Sequence, residues 1–201
     1  LRAPIFAEPG HDEPAGSRGA GLSRRPGTMT VQRSHQERDT TMLTETDHGH
    51  LRRCVELAAE AVEAGDEPFG SVLVGGDGTV LAEERNRVGG GDETRHPEFE
   101  LARWAAGQMT PDARAAATVY TSGEHCPMCA AAHAWVGLGR IVYASSSRQL
   151  TRWRAALNAP ASPVRALAIQ DVAPGIVVDG PAPELADELH ELHRRSLAAR
   201  A

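Results

Sequence analysis

Two short segments about thirty residues apart each set a metal-binding side chain directly before a proline: Arg95-His96-Pro97-Glu98 and Glu124-His125-Cys126-Pro127-Met128-Cys129. Proline is favoured at the first position of a helix, where its missing N–H would have had no partner. Each motif therefore predicts a helix start, with His96 and Cys126 near the N-caps, where the helix presents partial positive charge. A cysteine placed there ionises more readily. Cys129 lies one turn further on, on the same helix face as Cys126. A fold that uses both motifs must bring two helix N-termini to one point.

The remaining pattern says what carries those helices. Leu51, Cys54, Val55, Ala58 and Val62 recur at helical spacing over 51–64, and Gly65 supplies a stop. Short β-branched runs at 71–74 and 79–82 flank Gly75-Gly76-Asp77-Gly78, a hairpin signature. A Gly-rich loop over 86–94 precedes a predicted helix at 97–106, a strand at 117–121, a helix at 127–138 and a strand at 141–144. A helix at 148–157, a last strand at 164–169 and a C-terminal helix at 182–198 complete the reading. A helix, two antiparallel strands and then alternating helices and strands predict a layered α/β domain with a mixed sheet. Residues 1–41 are rich in Gly, Pro, Ser and Arg without period, and read as a disordered tail or an upstream extension of a domain spanning 42–201. Met29 and Met42 are both candidate natural starts.

One imidazole and two thiolates form a three-ligand zinc set whose fourth tetrahedral position is left for water, the catalytic rather than the structural pattern. Zinc lowers the pKa of that water to roughly 7. Glu98 is not needed as a ligand and is placed to move protons: from water to a ring nitrogen, then to departing ammonia. The pairing H-x-E with P-C-x-x-C is the signature of zinc deaminases.

On these residues the sequence resembles the cytidine deaminase superfamily, in the branch with guanine deaminases, fungal-type cytosine deaminases and tRNA adenosine deaminases. The resemblance runs from about Leu51 to Ala144. It includes Glu67-Pro68-Phe69-Gly70-Ser71-Val72-Leu73-Val74, Asn86, and Tyr120-Thr121-Ser122-Gly123 before the cysteine motif. It implies a three-layer α/β/α fold with a mixed central sheet of about five strands, with the first helix packed on it. It also implies Zn2+ as cofactor on His96, Cys126 and Cys129, Glu98 as catalytic residue, Asn86 hydrogen-bonding the base, Phe69 lining its pocket, and a homodimer or larger assembly. Pro97 stands where the family most often has Ala. His125 stands where the family usually has Pro, and is a further candidate for substrate contact, for tuning the site, or a neutral replacement.

Other readings compete for the same residues. Cys-Pro-x-Cys opening a helix also fits a thiol–disulfide oxidoreductase, which leaves His96 and Glu98 unexplained. A structural zinc site would want a fourth ligand, which His125 or His133 could supply. Cys54 and His133 read as packing residues, and His190 and His193 as solvated. Trp104, Trp135 and Trp153 read as core or interface, with Trp153 in a region that closes the pocket in some relatives. Glu100 and Glu124 read as structural.

Composition narrows partners and substrate. All 21 basic residues are Arg, which removes a phosphate-loop lysine, a pyridoxal Schiff base and a lysine nucleophile. The tail carries six Arg against five acids, so the net charge of −6 leaves −7 on the domain, a poor match for a polyphosphate chain. No apolar run approaches the ~20 residues of a membrane span and no secretory leader is evident, so the expected location is cytoplasmic. The expected substrate is a free nucleobase or small nucleoside of cytosine or guanine type, or a related heterocycle such as an s-triazine. A tRNA adenosine is the alternative.

Overall fold

The computed structural model describes residues 43–200, so the expected tail and both candidate starts lie outside the described residues. Helix α1 (Glu45–Glu63) leads into strands β1 (Gly70–Val74) and β2 (Val80–Arg85). Helices α2 (Pro97–Gln108) and α3 (Pro111–Ala116), strand β3 (Thr118–Gly123), helix α4 (Pro127–Val136) and strand β4 (Arg140–Ser145) follow. Helices α5 (Ser147–Ala156) and α6 (Ile169–Val172), the short strand β5 (Val178–Asp179) and helix α7 (Ala186–Ala199) complete the domain.

The five strands form one mixed sheet in the order β2-β1-β3-β4-β5. β1 is antiparallel to both β2 and β3, whereas β3, β4 and β5 run parallel. Alternation of side chains across the pleat divides the interior in two. Val72, Val74, Tyr120, Val142 and Ala144 face a cluster with Leu51, Val55 and Leu57 of α1 and Leu189 and Leu192 of α7. Leu73 and Val119 face a second cluster with Leu101, Ala102 and Ala105 of α2. Helices thus cover both faces, as the three-layer expectation required. Each fully buried Leu or Val in these layers contributes about 1.5–3 kcal/mol.

Two local features set how α1 meets the sheet. Thr44 caps the helix and Asp47 returns the bond to the cap backbone, a reciprocal box that starts the helix at Glu45, ahead of the predicted 51. The buried Asp47 also accepts from Tyr120 Oη of β3 at 2.9 Å and from Arg140 of β4 at 2.6 Å, and Arg140 in turn bonds Asp179 of β5 at 2.7 Å. One carboxylate thereby ties the helix to the sheet. Midway along α1, Gly70 lets the layers touch: a Cβ there would stand 2.4 Å from Leu57 Cβ and 2.5 Å from the Cys54 carbonyl.

The strand expected at 164–169 is not one. Val164 is 54% exposed in an irregular segment, and the fifth strand is the two-residue β5 at Val178–Asp179. The apolar run lacks a facing strand to satisfy its backbone, so composition alone misassigned it. Helix α3, capped by Thr110 with Pro111 at its first position, was not anticipated although its cap signal is present.

Candidate active site

Strand topology decides where the site forms. Gly70 pairs with Arg85, and Ser71 pairs with Thr121, so β1 begins where β2 and β3 end. Phe69 before β1, Asn86 after β2 and the Glu124–Cys126 turn after β3 therefore leave the sheet at one edge. The two proline-led helices deliver the rest. His96 is the N-cap of α2 with Pro97 at the next position, and Cys126 is the N-cap of α4 with Pro127 following.

At that edge the three donors converge. Cys126 Sγ and Cys129 Sγ each lie 3.6 Å from His96 Nδ1, and the sulfurs are 3.5 Å apart. Zinc–sulfur bonds of about 2.3 Å and a zinc–nitrogen bond of about 2.0–2.1 Å, meeting tetrahedrally, hold sulfurs about 3.8 Å apart and each sulfur about 3.6 Å from nitrogen. The observed triangle departs from that by no more than about 0.3 Å. Donor chemistry and spacing both fit zinc, and among the described residues this is the cluster able to hold a metal.

The three donors polarise one another, Cys126 towards the thiolate and His96 towards the imidazolium. The Cys126 thiol is lowered to about 4, first by its hydrogen bond from Cys129 and then, against burial, by His96. Burial opposes the charged imidazole, but bonding to Cys126 and the nearby Glu98 carboxylate outweigh it and raise His96 to about 9. The shared proton pushes Cys129 up, with burial adding to the effect. Burial likewise raises Glu98, with the His96 charge offsetting part of the rise.

Glu98 is held from behind. Ser71 Oγ donates to Thr121 Oγ1 at 2.9 Å, and Thr121 Oγ1 donates to Glu98 Oε1 at 2.9 Å, all three being buried. Glu98 Oε2 stays 3.8 Å from Cys129 Sγ, on the metal side. Sequence reading did not single out Ser71 and Thr121 as partners of Glu98, because only the β1–β3 register brings them into line.

Asn86 is fully buried; its Oδ1 accepts from Val88 N at 3.0 Å, while its Nδ2 has no partner. Its backbone N–H donates to Phe69 O at 2.9 Å. Asp66 braces the same loop, accepting from Arg85 at 2.6 Å and Gly89 N at 2.7 Å. The Phe69 ring lies against Gly123, where a Cβ would stand 2.9 Å from its Cε1. His125 is buried with both ring nitrogens unpartnered, edge-on to the His133 ring at 5.4 Å. His133 Nε2 is within 3.0 Å of the Gly139 carbonyl. The carboxylate of Glu124 accepts from Ser147 N and Ile169 N, the structural task expected of it.

Two peripheral expectations need correcting. His193 is 5% exposed rather than solvated, because it shares the inward stripe of α7 with Leu189, Leu192 and Ser196. Trp135 is 89% exposed, which removes the core half of its core-or-interface reading.

Comparison with known proteins agrees with this geometry. The model of the cytidine and deoxycytidylate deaminase zinc-binding region matches residues 44–145. A probable cytosine deaminase of Schizosaccharomyces pombe is 34% identical over 115 residues, covering 56% of this chain and 68% of that protein. The guanine deaminase of Bacillus subtilis is 39% identical over 97 residues, covering 47% of this chain and 62% of that protein. In fold, the guanine deaminase of Nitrosomonas europaea superposes with a TM-score of 0.58 at 20% identity, covering 78% of this chain and 86% of that one. The oxidoreductase reading, which left His96 and Glu98 without a task, is set aside by this match. The chain belongs to the cytidine and deoxycytidylate deaminase family, with a site built for zinc, and is a hydrolytic C–N deaminase.

Proposed function

We propose that the protein deaminates a free nucleobase or small nucleoside of cytosine or guanine type, releasing ammonia. The observation that carries this is Glu98, with one oxygen pinned by Thr121 and the other facing the His96–Cys126–Cys129 triangle. A zinc ion on those three ligands would supply the Lewis acidity that makes water a nucleophile near neutral pH.

The chain's own residues do the remainder. Glu98 takes a proton from the attacking water and passes it to the ring nitrogen beside the amine-bearing carbon; it then carries the proton of the added hydroxyl to the amino group, so that the C–N bond breaks, ammonia leaves and the carbonyl forms. Thr121 and Ser71 keep the carboxylate from rotating, so Oε2 is the oxygen that exchanges protons. Asn86 offers its unpartnered Nδ2–H to an acceptor on the base, since a buried donor without a partner is costly unless a ligand satisfies it. Phe69 forms an apolar wall for the ring. The relatives compared are named for cytosine and guanine, so the proposal does not extend to s-triazines.

The test is ammonia release by the zinc-loaded protein from a panel of bases, nucleosides and tRNA. Turnover of cytosine or guanine, or of a nucleoside of either, supports the proposal. Turnover of tRNA alone overturns it.

A further inference from the structure

The family match ends at residue 145, yet helices beyond it grip the segment that borders the site. Ser196 Oγ of α7 donates to the Asp66 carbonyl at 3.1 Å. Arg200 and Arg154 stand 3.3 and 3.7 Å from Glu67 Oε1. His193 sets its ring edge-to-face on Phe69, centroids 5.3 Å apart and planes at 70°. Trp153 of α5 backs the same imidazole at 5.8 Å and stacks on His190 at 5.2 Å.

The Phe69 ring thus has Gly123 and the ring of His193 among its neighbours. A side chain at Gly123 would occupy the space of the Phe69 ring, and removing the imidazole would take away the ring packed edge-to-face on it. Burial, with the charges of Arg154, His190 and Arg200 around it, keeps His193 uncharged at neutral pH. It therefore packs as an aromatic ring and brings no buried cation to the pocket wall.

We propose that His193 is a positioning residue for substrate selection, clamping Phe69 against Gly123 and so setting the width of the base pocket from a helix outside the family's matched region. The proposal rests on the reading of Phe69 as a wall of the pocket. It separates two tasks along the chain: residues 44–145 hold the metal and the proton carrier, and α5 and α7 gauge the ring that enters.

The experiment uses the full zinc-loaded chain and its variants His193→Ala, His193→Phe, Phe69→Ala and the His193→Ala/Phe69→Ala double. Kinetics are measured on the base that wild type turns over best. Phe69 ring flipping is followed by NMR, which is tractable with three Phe in the chain. In His193→Ala, KM should rise about three- to tenfold, the size of one lost aromatic pair. Zinc content and kcat should stay within about twofold, and the Phe69 ring should flip faster. His193→Phe should restore KM, and the double variant should be no worse than Phe69→Ala alone. Unchanged KM and unchanged flipping in His193→Ala would overturn the proposal, as would effects that multiply in the double variant. If His193→Ala does not fold, Trp153→Leu, which loosens the imidazole from behind, must speed the flipping or the clamp is refuted. Should wild type deaminate nothing in the panel, the functional reading falls and the flipping rates alone decide the clamp.

Discussion

Replacing Asp47 with Asn removes one charge from a buried carboxylate that accepts five hydrogen bonds. Oδ1 takes Tyr120 Oη at 2.9 Å and one Arg140 nitrogen at 2.6 Å. Oδ2 takes Thr44 N at 2.9 Å, Thr44 Oγ1 at 2.7 Å and the other Arg140 nitrogen at 3.3 Å. An amide has no orientation that avoids pointing N–H at donors. Breaking a buried ion pair costs about 3–5 kcal/mol, but Arg140 is partly exposed and keeps Asp179. The expected loss is therefore about 2–4 kcal/mol at pH 7, or roughly 4–16 °C in Tm for a domain of this size. Burial alone would raise this carboxyl, yet Arg140, Thr44 and Tyr120 outweigh it and hold its pKa well below the usual carboxylate range. A group depressed in the folded state contributes stability above its unfolded pKa and loses it as pH falls through the folded value. The gap between wild type and variant should thus be full at pH 7 and shrink below about pH 3.8. Urea unfolding at several pH values measures it. A gap under about 1 kcal/mol at pH 7, or one that does not narrow in acid, would refute the account.

Other outcomes follow from single features. Glu98→Gln should keep about one zinc per chain by metal analysis while activity falls at least ~100-fold in the ammonia assay. Thr121→Val, which frees Glu98 Oε1 but keeps the strand, should lower kcat with KM nearly unchanged. Gly70→Ala forces α1 away from β1 and should cost about 1–3 kcal/mol or more by urea unfolding. His193 is depressed to about 3 by burial and by the charges of Arg154, His190 and Arg200, so the unfolded chain binds the extra proton. Stability should therefore fall as pH drops from about 6.5 towards 3, by up to ~1.4 kcal/mol per unit, and His193→Phe should flatten that slope in unfolding curves.

The metal triangle was legible because its three ligands sit in two local motifs, each announced by a proline that starts a helix. The place of Glu98 beside that triangle was legible for the same reason. Its support was not: Ser71 and Thr121 are ordinary strand residues fifty positions apart, joined only by register. His193 stands farther still from Phe69, and its neighbours on α7 looked solvated from sequence because the charged residues there outnumber the apolar stripe. α1 began a turn and a half early because its start depends on a side-chain box at Thr44 and Asp47 rather than on apolar period. β5, two residues long, carries no periodic signal at all.

The packing of α7 against α1 also has a temporal side. Leu189 and Leu192 complete the same buried cluster as Leu51, Val55 and Leu57, and Arg52 pairs with Glu188 across the junction. A contact spanning some 136 residues cannot form until long after Arg52 has been made, since synthesis proceeds from the N-terminus. Until α7 emerges from the ribosome, the outer face of α1 stays bare and Phe69 lacks its imidazole neighbour. The zinc ligands are all synthesised earlier and can meet their ion before His193 exists, so on the proposed clamp metal capture and substrate discrimination would mature at different moments in the life of the chain.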